Sequence, residues 1–227
     1  MIHALIFDFD GFILETEGPS YQSWQAVYLS FGYSLPFSTW STIIGTTQGD
    51  FDPGRELRRL VTGQVDWEQV ESGRQVSENA LIEAQAILPG VESYLRDARR
   101  LGFYTGMASS SSRRWVVGHL TRIGLLGGFD CICASDDVQH VKPDPELYLS
   151  VLRELGVKAE EAIAFEDSPN GIRAAKRAGL YCVAIPNPLT SRLVLTEADL
   201  QLNSLAEMPL EELLQMFDAV KTRGAAF

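Results

Sequence analysis

The sequence predicts an α/β protein with a doubly wound, Rossmann-like parallel sheet and a small all-helical cap inserted after the first strand. Three features of the 227-residue chain indicate this fold. Short and almost uninterrupted apolar runs recur along most of the chain, as in parallel strands covered on both faces. Segments with helical apolar spacing separate most of these runs. One stretch near the N-terminus breaks the alternation and contains only helical patterns.

Five apolar runs are interpreted as buried strands. They cover residues 2–9, 103–108, 130–134, 162–166 and 180–185. Helical patterns between or after these runs cover residues 91–101, 113–126, 145–156 and 169–178. In the first of them Val91, Leu95 and Ala98 share one helical face, and Gly102 ends the segment. In such sheets ligands bind beyond the carboxyl ends of the strands, so functional residues are expected there.

Residues 16–86 are interpreted as a helical cap domain, and residues 1–15 together with 87–227 as the α/β core. The cap stretch contains several helical patterns and no convincing buried strand. No charged residue occurs between Gly18 and Gly49. Ser, Gln and Pro interrupt that uncharged run, so it is not interpreted as a membrane span.

The composition excludes several classes of function. The 19 Lys and Arg residues against 30 Asp and Glu give a formal net charge of −11, which disfavours binding of nucleic acid or anionic lipid through the overall field. Three cysteines without Cys-x-x-Cys spacing form neither a disulfide framework nor a zinc motif. The N-terminus resembles neither a signal peptide nor an anchor. We expect a monomeric cytoplasmic protein with a small-molecule partner and no nucleic-acid or membrane partner.

Acidic residues follow two of the predicted strands. Asp8 and Asp10 end the first strand, and residues two apart on a strand point the same way. Glu166 and Asp167 end the strand at 162–166. If these strands are neighbours, four carboxyl groups crowd one spot, and a cation or a proton must offset their charge. Hard oxygen ligands of this kind suit Mg²⁺. The alternative, a helix cap, explains only one of the four acids.

Two further features are typical of a phosphate site. A serine run at 109–112 stands between the second strand and a helical segment, where hydroxyls and free backbone N–H groups bind anions. Such runs also serve as caps or linkers. Lys142 precedes Pro143-Asp144-Pro145 in the loop after the third strand. A lone lysine is usually exposed to solvent, so its position in this loop is what favours a functional role.

Four sequence motifs resemble those of a known protein family. They read DFDGFILETE at 8–17, ASSS at 108–111, KPDPELYL at 142–149 and EDSPNGIRAAKRAG at 166–179. In order and spacing they resemble the four motifs of the haloacid dehalogenase superfamily. The resemblance spans essentially the whole chain and is strongest to the phosphatase and β-phosphoglucomutase-like branch, whose members have a small helical cap.

The resemblance implies a phosphatase that works through an aspartyl-phosphate. Asp8 would be the nucleophile. Asp10 would act as general acid to the leaving oxygen and then as general base for the attacking water. Ser109, the Ser110 backbone and Lys142 would hold the transferring phosphoryl group.

The resemblance also implies a Mg²⁺ site. Asp8, the Asp10 carbonyl and Asp167 would hold the ion, with Glu166 close by. The sequence departs from the family pattern at Glu15, where aspartate is usual. This change does not touch the expected chemistry.

The cap offers few cationic residues for substrate recognition. Arg55, Arg58 and Arg59 lie opposite an apolar helix face and are interpreted as solvated. Arg74 lies on an otherwise apolar face, where it either pairs with a nearby acid or reads the substrate. We retain Arg74 as a candidate specificity residue.

Two alternatives to a phosphatase remain open. A β-phosphoglucomutase would bind a second phosphate group through an arginine and a histidine in the cap. The corresponding stretches, 18–21 and 45–48, carry neither, which favours a monophosphorylated, sugar-like metabolite. A receiver-like phospho-switch would also use strand-end acids, a hydroxyl and a lysine, but the helical insertion argues against it.

Overall fold

The computed structural model of the chain describes residues 1–46 and 50–224. In these residues six strands form one sheet, and all neighbouring strands are parallel. In chain order the strands are β1 (Ala4–Phe7), β2 (Tyr104–Ala108), β3 (Cys131–Cys133), β4 (Ala162–Glu166), β5 (Tyr181–Ala184) and β6 (Leu200–Gln201). Their order across the sheet is β3-β2-β1-β4-β5-β6. Strands β2 and β3 thus lie on one side of β1, and β4 to β6 lie on the other. This doubly wound order confirms the predicted fold class.

Nine α-helices lie in the described part of the chain. They are α1 (Glu17–Ser30), α2 (Phe37–Trp40), α3 (Pro53–Leu60), α4 (Trp67–Glu83), α5 (Val91–Leu101), α6 (Arg113–Arg122), α7 (Glu146–Leu155), α8 (Pro169–Arg177) and α9 (Leu210–Gly224). The five predicted strands are all present. The sixth, β6, is only two residues long and carries too little pattern to be found in the sequence. The predicted helix 113–126 is shorter than expected, because α6 ends at Arg122 and a separate 3₁₀ turn follows.

The sheet buries both of its faces. Leu5 and Phe7 of β1 pack into one hydrophobic cluster, and Ala4 and Ile6 pack into another on the opposite face. Phe7 pairs in register with Phe165 of β4, and their rings stack with centroids 5.0 Å apart. Because side chains alternate between two buried faces, the central strands are apolar at nearly every position, which is the pattern seen in the sequence.

Helices α1 to α4 lie between β1 and α5 in the chain and have a hydrophobic cluster of their own. Its buried members are Tyr28, Leu35, Trp40, Ile44 and Leu57. Partly buried aromatic residues, among them Tyr21 and Trp24, pack against them. Helix α1 packs against α4. None of the described helices has the length and apolarity that a bilayer span requires.

The parallel strands direct their following loops to one edge of the sheet. Asp8 follows β1, Ser109 follows β2 and Asp167 follows β4. Lys142 lies in the connection from β3 to α7, and Asn187 lies in the loop after β5. Five segments that are distant in sequence thus meet at the carboxyl edge of the sheet.

Candidate active site

A buried lysine joins two acids from neighbouring strands. Lys142 Nζ forms an ion pair with Asp8 Oδ1 and a second one with Glu166 Oε1, at 2.7 Å. The Asp8 backbone N–H donates to Phe165 O at 3.0 Å, so the pairing of β1 with β4 continues past the strand end and places Asp8 beside Glu166. The Lys142 side chain is 1% exposed. Its surroundings are therefore not those of an ordinary surface lysine.

The expected crowding of acids is present and shifts their ionisation. Burial raises the pKa of Asp8 to about 8, although Lys142 lowers it, and repulsion from Glu166 and Asp10 adds to the rise. Burial and repulsion from Asp8 raise the pKa of Asp167 well above its ordinary value. Burial alone would lower the pKa of Lys142, but the two adjacent carboxylates outweigh it and raise that pKa.

Asp8, Glu166 and Asp167 fit a divalent metal ion. Each offers a carboxylate oxygen, and these oxygens all lie within 4.8 Å of one another. Glu166 Oε2 and Asp167 Oδ1 are buried and make no hydrogen bond in the part of the chain that the structure describes. When all three acids are ionised, three carboxylates against one ammonium group leave two negative charges to be neutralised. Hard oxygen donors with that charge match Mg²⁺.

Asn187 orients one of these acids. Its Nδ2 donates to Asp167 Oδ2 at 2.8 Å and to Gly11 O at 3.3 Å. Gly11 has φ +75°, and a Cβ at this position would lie 2.4 Å from Asp167 Oδ2. A glycine is therefore needed for the first loop to approach Asp167 this closely. Sequence reasoning missed Asn187, because no motif or periodicity connects it with the acids.

Asp10 is held by four donors. Oδ1 accepts hydrogen bonds from Thr16 Oγ1 at 3.0 Å and from Trp115 Nε1 at 2.9 Å. Oδ2 accepts from Ser111 Oγ at 2.6 Å and from Ser109 Oγ at 3.4 Å. No role is predicted from the sequence for Thr16, Ser111 or Trp115. Thr16 lies in the motif at 8–17 and Ser111 in the serine run, whereas Trp115 lies outside all four motifs.

The serine run forms the turn that leads into α6. Ser109 is fully buried, and its Oγ accepts from Ser111 N at 3.0 Å. Ser110 Oγ donates to Gly45 O at 3.2 Å. Ser112 is the N-cap residue and accepts from Trp115 N at 3.3 Å. The predicted phosphate-binding residues Ser109, Ser110 and Lys142 thus lie beside Asp8 and Asp10, and their binding role remains a prediction.

A cavity of about 210 Å³ opens above Asp8 and Asp10. Three carboxyl groups line it, those of Asp8, Asp10 and Glu17. Burial and repulsion from Asp10 and Asp8 raise the pKa of Glu17 to about 8. The other lining residues are polar or aromatic, with one aliphatic side chain. They are Thr16, Ser20, Trp40, Ile43, Gly45, Thr46, Ser110, Ser111 and Trp115.

The helical insertion contacts two loops of the α/β part over this cavity. Asn170 Nδ2 donates to Ile44 O at 2.8 Å, and Ser110 donates to the carbonyl of the next residue, Gly45. A Cβ on Gly45 would lie 2.2 Å from Ser168 Oγ. Residues 44 and 45 therefore rest directly on the loops after β2 and β4. Of the stretch 45–48, Thr47 and Gln48 lie outside the described residues.

Arg74 is not brought to the cavity. Its guanidinium contacts Glu71 at 2.7 Å and Glu78 at 2.6 Å, and it donates to Ser23 Oγ at 3.0 Å. It also lies over the Trp24 ring, 4.5 Å from the centroid. Of the two interpretations drawn from the sequence, pairing with nearby acids is the one the structure shows. The acids one helical turn to either side supply its partners.

Comparison with known proteins agrees with these observations. The sequence pattern of the family described as "Haloacid dehalogenase-like hydrolase" matches residues 5–185. The chain is 46% identical to "Putative phosphatase YhcW" of Bacillus subtilis over 94% of this chain and 97% of that one. It is 30% identical to "Hexitol phosphatase B" of Escherichia coli K12 over 94% of this chain and 97% of the relative.

A solved structure shows the same fold. β-Phosphoglucomutase from Clostridium difficile superimposes with a TM-score of 0.75 at 24% identity and covers 98% of this chain and 100% of its own. The family pattern spans the sheet from β1 to β5 and all four motifs quoted above. This chain is therefore a member of the haloacid dehalogenase-like hydrolase family.

Proposed function

We propose that this chain is a Mg²⁺-dependent phosphatase that hydrolyses small, sugar-like phosphomonoesters through an aspartyl-phosphate on Asp8. One observation carries the proposal. Asp8 lies at a cavity wall, is paired with the buried Lys142, and belongs to a set of three carboxylates that fits a metal ion. The two relatives described above, one named a putative phosphatase and the other a hexitol phosphatase, support the same reaction class.

The first step forms the aspartyl-phosphate. An oxygen of the Asp8 carboxylate attacks phosphorus, and the bond from phosphorus to the leaving oxygen breaks. The Asp10 carboxyl gives its proton to that oxygen, so the alcohol leaves neutral. Lys142 neutralises charge beside Asp8. Mg²⁺, held by Asp8, the Asp10 carbonyl and Asp167 with Glu166 nearby, would supply Lewis-acid neutralisation of the phosphoryl oxygens.

The second step releases phosphate. Water attacks phosphorus, and Asp10, now a carboxylate, accepts its proton. The bond from phosphorus to Asp8 breaks, which regenerates the Asp8 carboxylate. Ser109 and the Ser110 backbone are proposed to hold the phosphoryl oxygens through both steps. The products are an alcohol and inorganic phosphate, and both acids return to their starting forms.

The cavity favours a neutral, hydroxyl-bearing leaving group with a single phosphate. The described lining residues include acids, hydroxyls and indoles but no Lys, Arg or His. Residues 47–49, which follow Thr46 in the sequence and lie outside the described residues, read Thr-Gln-Gly and are also uncharged. A second phosphate would face Glu17 without a charge-assisted partner. Residues 16–86 are proposed to act as the cap that excludes water from this site.

A panel of phosphomonoesters tests the proposal. Phosphate release is measured with and without Mg²⁺ for polyol phosphates, sugar phosphates and p-nitrophenyl phosphate. We expect metal-dependent turnover that is fastest for a polyol or sugar monophosphate. Conversion of β-glucose 1-phosphate to the 6-phosphate with little free phosphate would instead establish a mutase. A long-lived phosphoaspartate without turnover would indicate a phospho-switch.

A further inference from the structure

We propose that Trp115 is a positioning residue for Asp10, and that its indole N–H determines which oxygen of Asp10 gives the proton to the leaving group. This inference rests on the proposed phosphatase reaction. It assigns a role to a residue that lies outside the four motifs and that approaches the reacting atoms only through Asp10.

Trp115 is held in a fixed orientation. It lies in the first turn of α6, where its backbone N–H is bonded to the N-cap Ser112. Its ring meets the ring of His119, one helical turn further on, edge to face with centroids 4.3 Å apart. From there Nε1 reaches Asp10 Oδ1 at 2.9 Å. The half-buried indole also forms part of the cavity wall.

The chemistry of the donors distinguishes the two oxygens of Asp10. An indole N–H donates and never accepts, whereas a hydroxyl does either. Oδ1 must therefore remain an acceptor whenever Trp115 is in place. Oδ2 faces Ser111 Oγ at 2.6 Å, and that hydroxyl can turn round to accept. When Asp10 is a carboxylic acid, its proton consequently resides on Oδ2.

Fixing the proton on one oxygen matters most for the first step, in which Asp10 acts as the general acid. Proton delivery requires the acidic oxygen to face the leaving oxygen, within hydrogen-bond reach. Without the indole donor, either Asp10 oxygen can carry the proton, and the carboxyl group is free to turn. The loss then falls on alcohols that cannot leave as anions. A phenolate such as p-nitrophenolate leaves readily without protonation, so its release is spared.

Trp115→Phe tests this, because it keeps an aromatic ring in the wall and removes only the N–H donor. The measurement is kcat/KM for sorbitol 6-phosphate and for p-nitrophenyl phosphate, since this ratio reports steps up to the first irreversible one. We expect a loss of about 10- to 100-fold for the alkyl ester and less than about 3-fold for the nitrophenyl ester. Trp67→Phe, the same change on a ring that packs against Phe31 in the insertion, should leave both values unchanged.

Equal losses for the two esters, or no loss, would overturn the role of Trp115. If the phenylalanine variant does not fold, benzothienylalanine at position 115 replaces the N–H by sulfur in a ring of nearly the same shape, and the same selective loss is expected. If sorbitol 6-phosphate is not turned over, the best alkyl monophosphate of the panel takes its place. Absence of turnover of every ester of the panel by the unmodified protein overturns the proposed function, and this inference with it. Turnover with an unchanged preference overturns the inference alone.

Discussion

Asn187 donates a hydrogen bond from Nδ2 to Asp167 Oδ2 at 2.8 Å, from a loop after a different strand. This bond leaves Asp167 Oδ1, which has no described partner, as the oxygen free for a metal ion. Groups that orient a metal ligand typically change metal affinity by about 10- to 100-fold when removed. We expect Asn187→Ala to raise the Mg²⁺ concentration for half-maximal activity by such a factor, as measured by Mg²⁺ titration of turnover.

A control must separate this role from loop stability, because Asn187 also shapes its own turn. Its Oδ1 accepts from Leu189 N and Thr190 N, and its backbone N–H donates to Thr190 Oγ1 at 3.0 Å. Thr190→Val removes that hydroxyl acceptor without touching Asp167. It should lower thermal stability and leave the Mg²⁺ requirement unchanged. An equal shift in both variants would show that Asn187 acts only through the loop.

Asp8→Asn removes the proposed nucleophile and keeps the shape of the side chain. We expect phosphatase activity to fall by about 10⁴-fold or more, because an amide cannot form the phosphoenzyme. The fold should be retained, since Lys142 keeps its second partner, Glu166. Phosphate release and circular dichroism measure the two outcomes. Asp97→Asn, on the surface of α5, is the matched control with unchanged activity. Near-normal turnover of the Asp8 variant would refute the assignment.

Simple geometry made much of the site predictable. Asp8 and Glu166 each end or follow a continuously apolar segment, and parallel strands bring their carboxyl ends to one edge. That is sufficient to expect the acids near one another before any contact is known. Lys142 was more difficult to place, because a lone lysine is usually exposed to solvent, and only its motif and its position in a loop favoured a functional role.

The missed contacts depend on side-chain directions that no periodicity specifies. The bond from Trp115 to Asp10 joins the start of a helix to the first loop across a long sequence separation. The bond from Thr16 is local, six residues from Asp10, but its direction is not specified by any periodicity. Asn187 lies after β5 in a stretch without a motif. Arg74 is a different case, since Glu71 and Glu78 at helical spacing were visible in the sequence, and only the observed ion pairs decided between the two interpretations.

The raised carboxyl pKa values give a metal-dependent effect of pH on stability. The pKa values of Asp8 and Glu17 are about 8, and that of Asp167 is also raised. The metal-free native chain therefore holds protons that the unfolded chain loses near pH 4. The native state binds more protons, so its stability falls as pH rises towards 8. Mg²⁺ binding requires the ionised acids, so its stabilisation should grow over the same range.

Melting temperatures at about pH 7 and pH 8, with and without Mg²⁺, measure this effect in a window above the ordinary range of carboxyl titration. We expect the metal-free value to fall between the two conditions and the increment due to Mg²⁺ to rise. KCl at matched ionic strength is the control for general screening. An increment that is the same at both values, or one that shrinks, would contradict the proposal that Mg²⁺ displaces protons from these acids.

Arg74→Met distinguishes a structural role of Arg74 from a role in substrate recognition. The side chain is 8% exposed and lies between Glu71 and Glu78. Breaking a buried pair leaves an uncompensated charge and costs about 3–5 kcal/mol. We therefore expect a clear drop in melting temperature. KM for the preferred phosphomonoester should change by less than about 2-fold, because substrate binding is untouched.

The double variant with Glu78→Gln should recover part of the stability, because it also removes the carboxylate that Arg74→Met leaves without a partner. Arg59→Met breaks an exposed pair with Glu56 and should change stability by less than about 1 kcal/mol. A large rise in KM at unchanged melting temperature would instead show that Arg74 contributes to substrate binding.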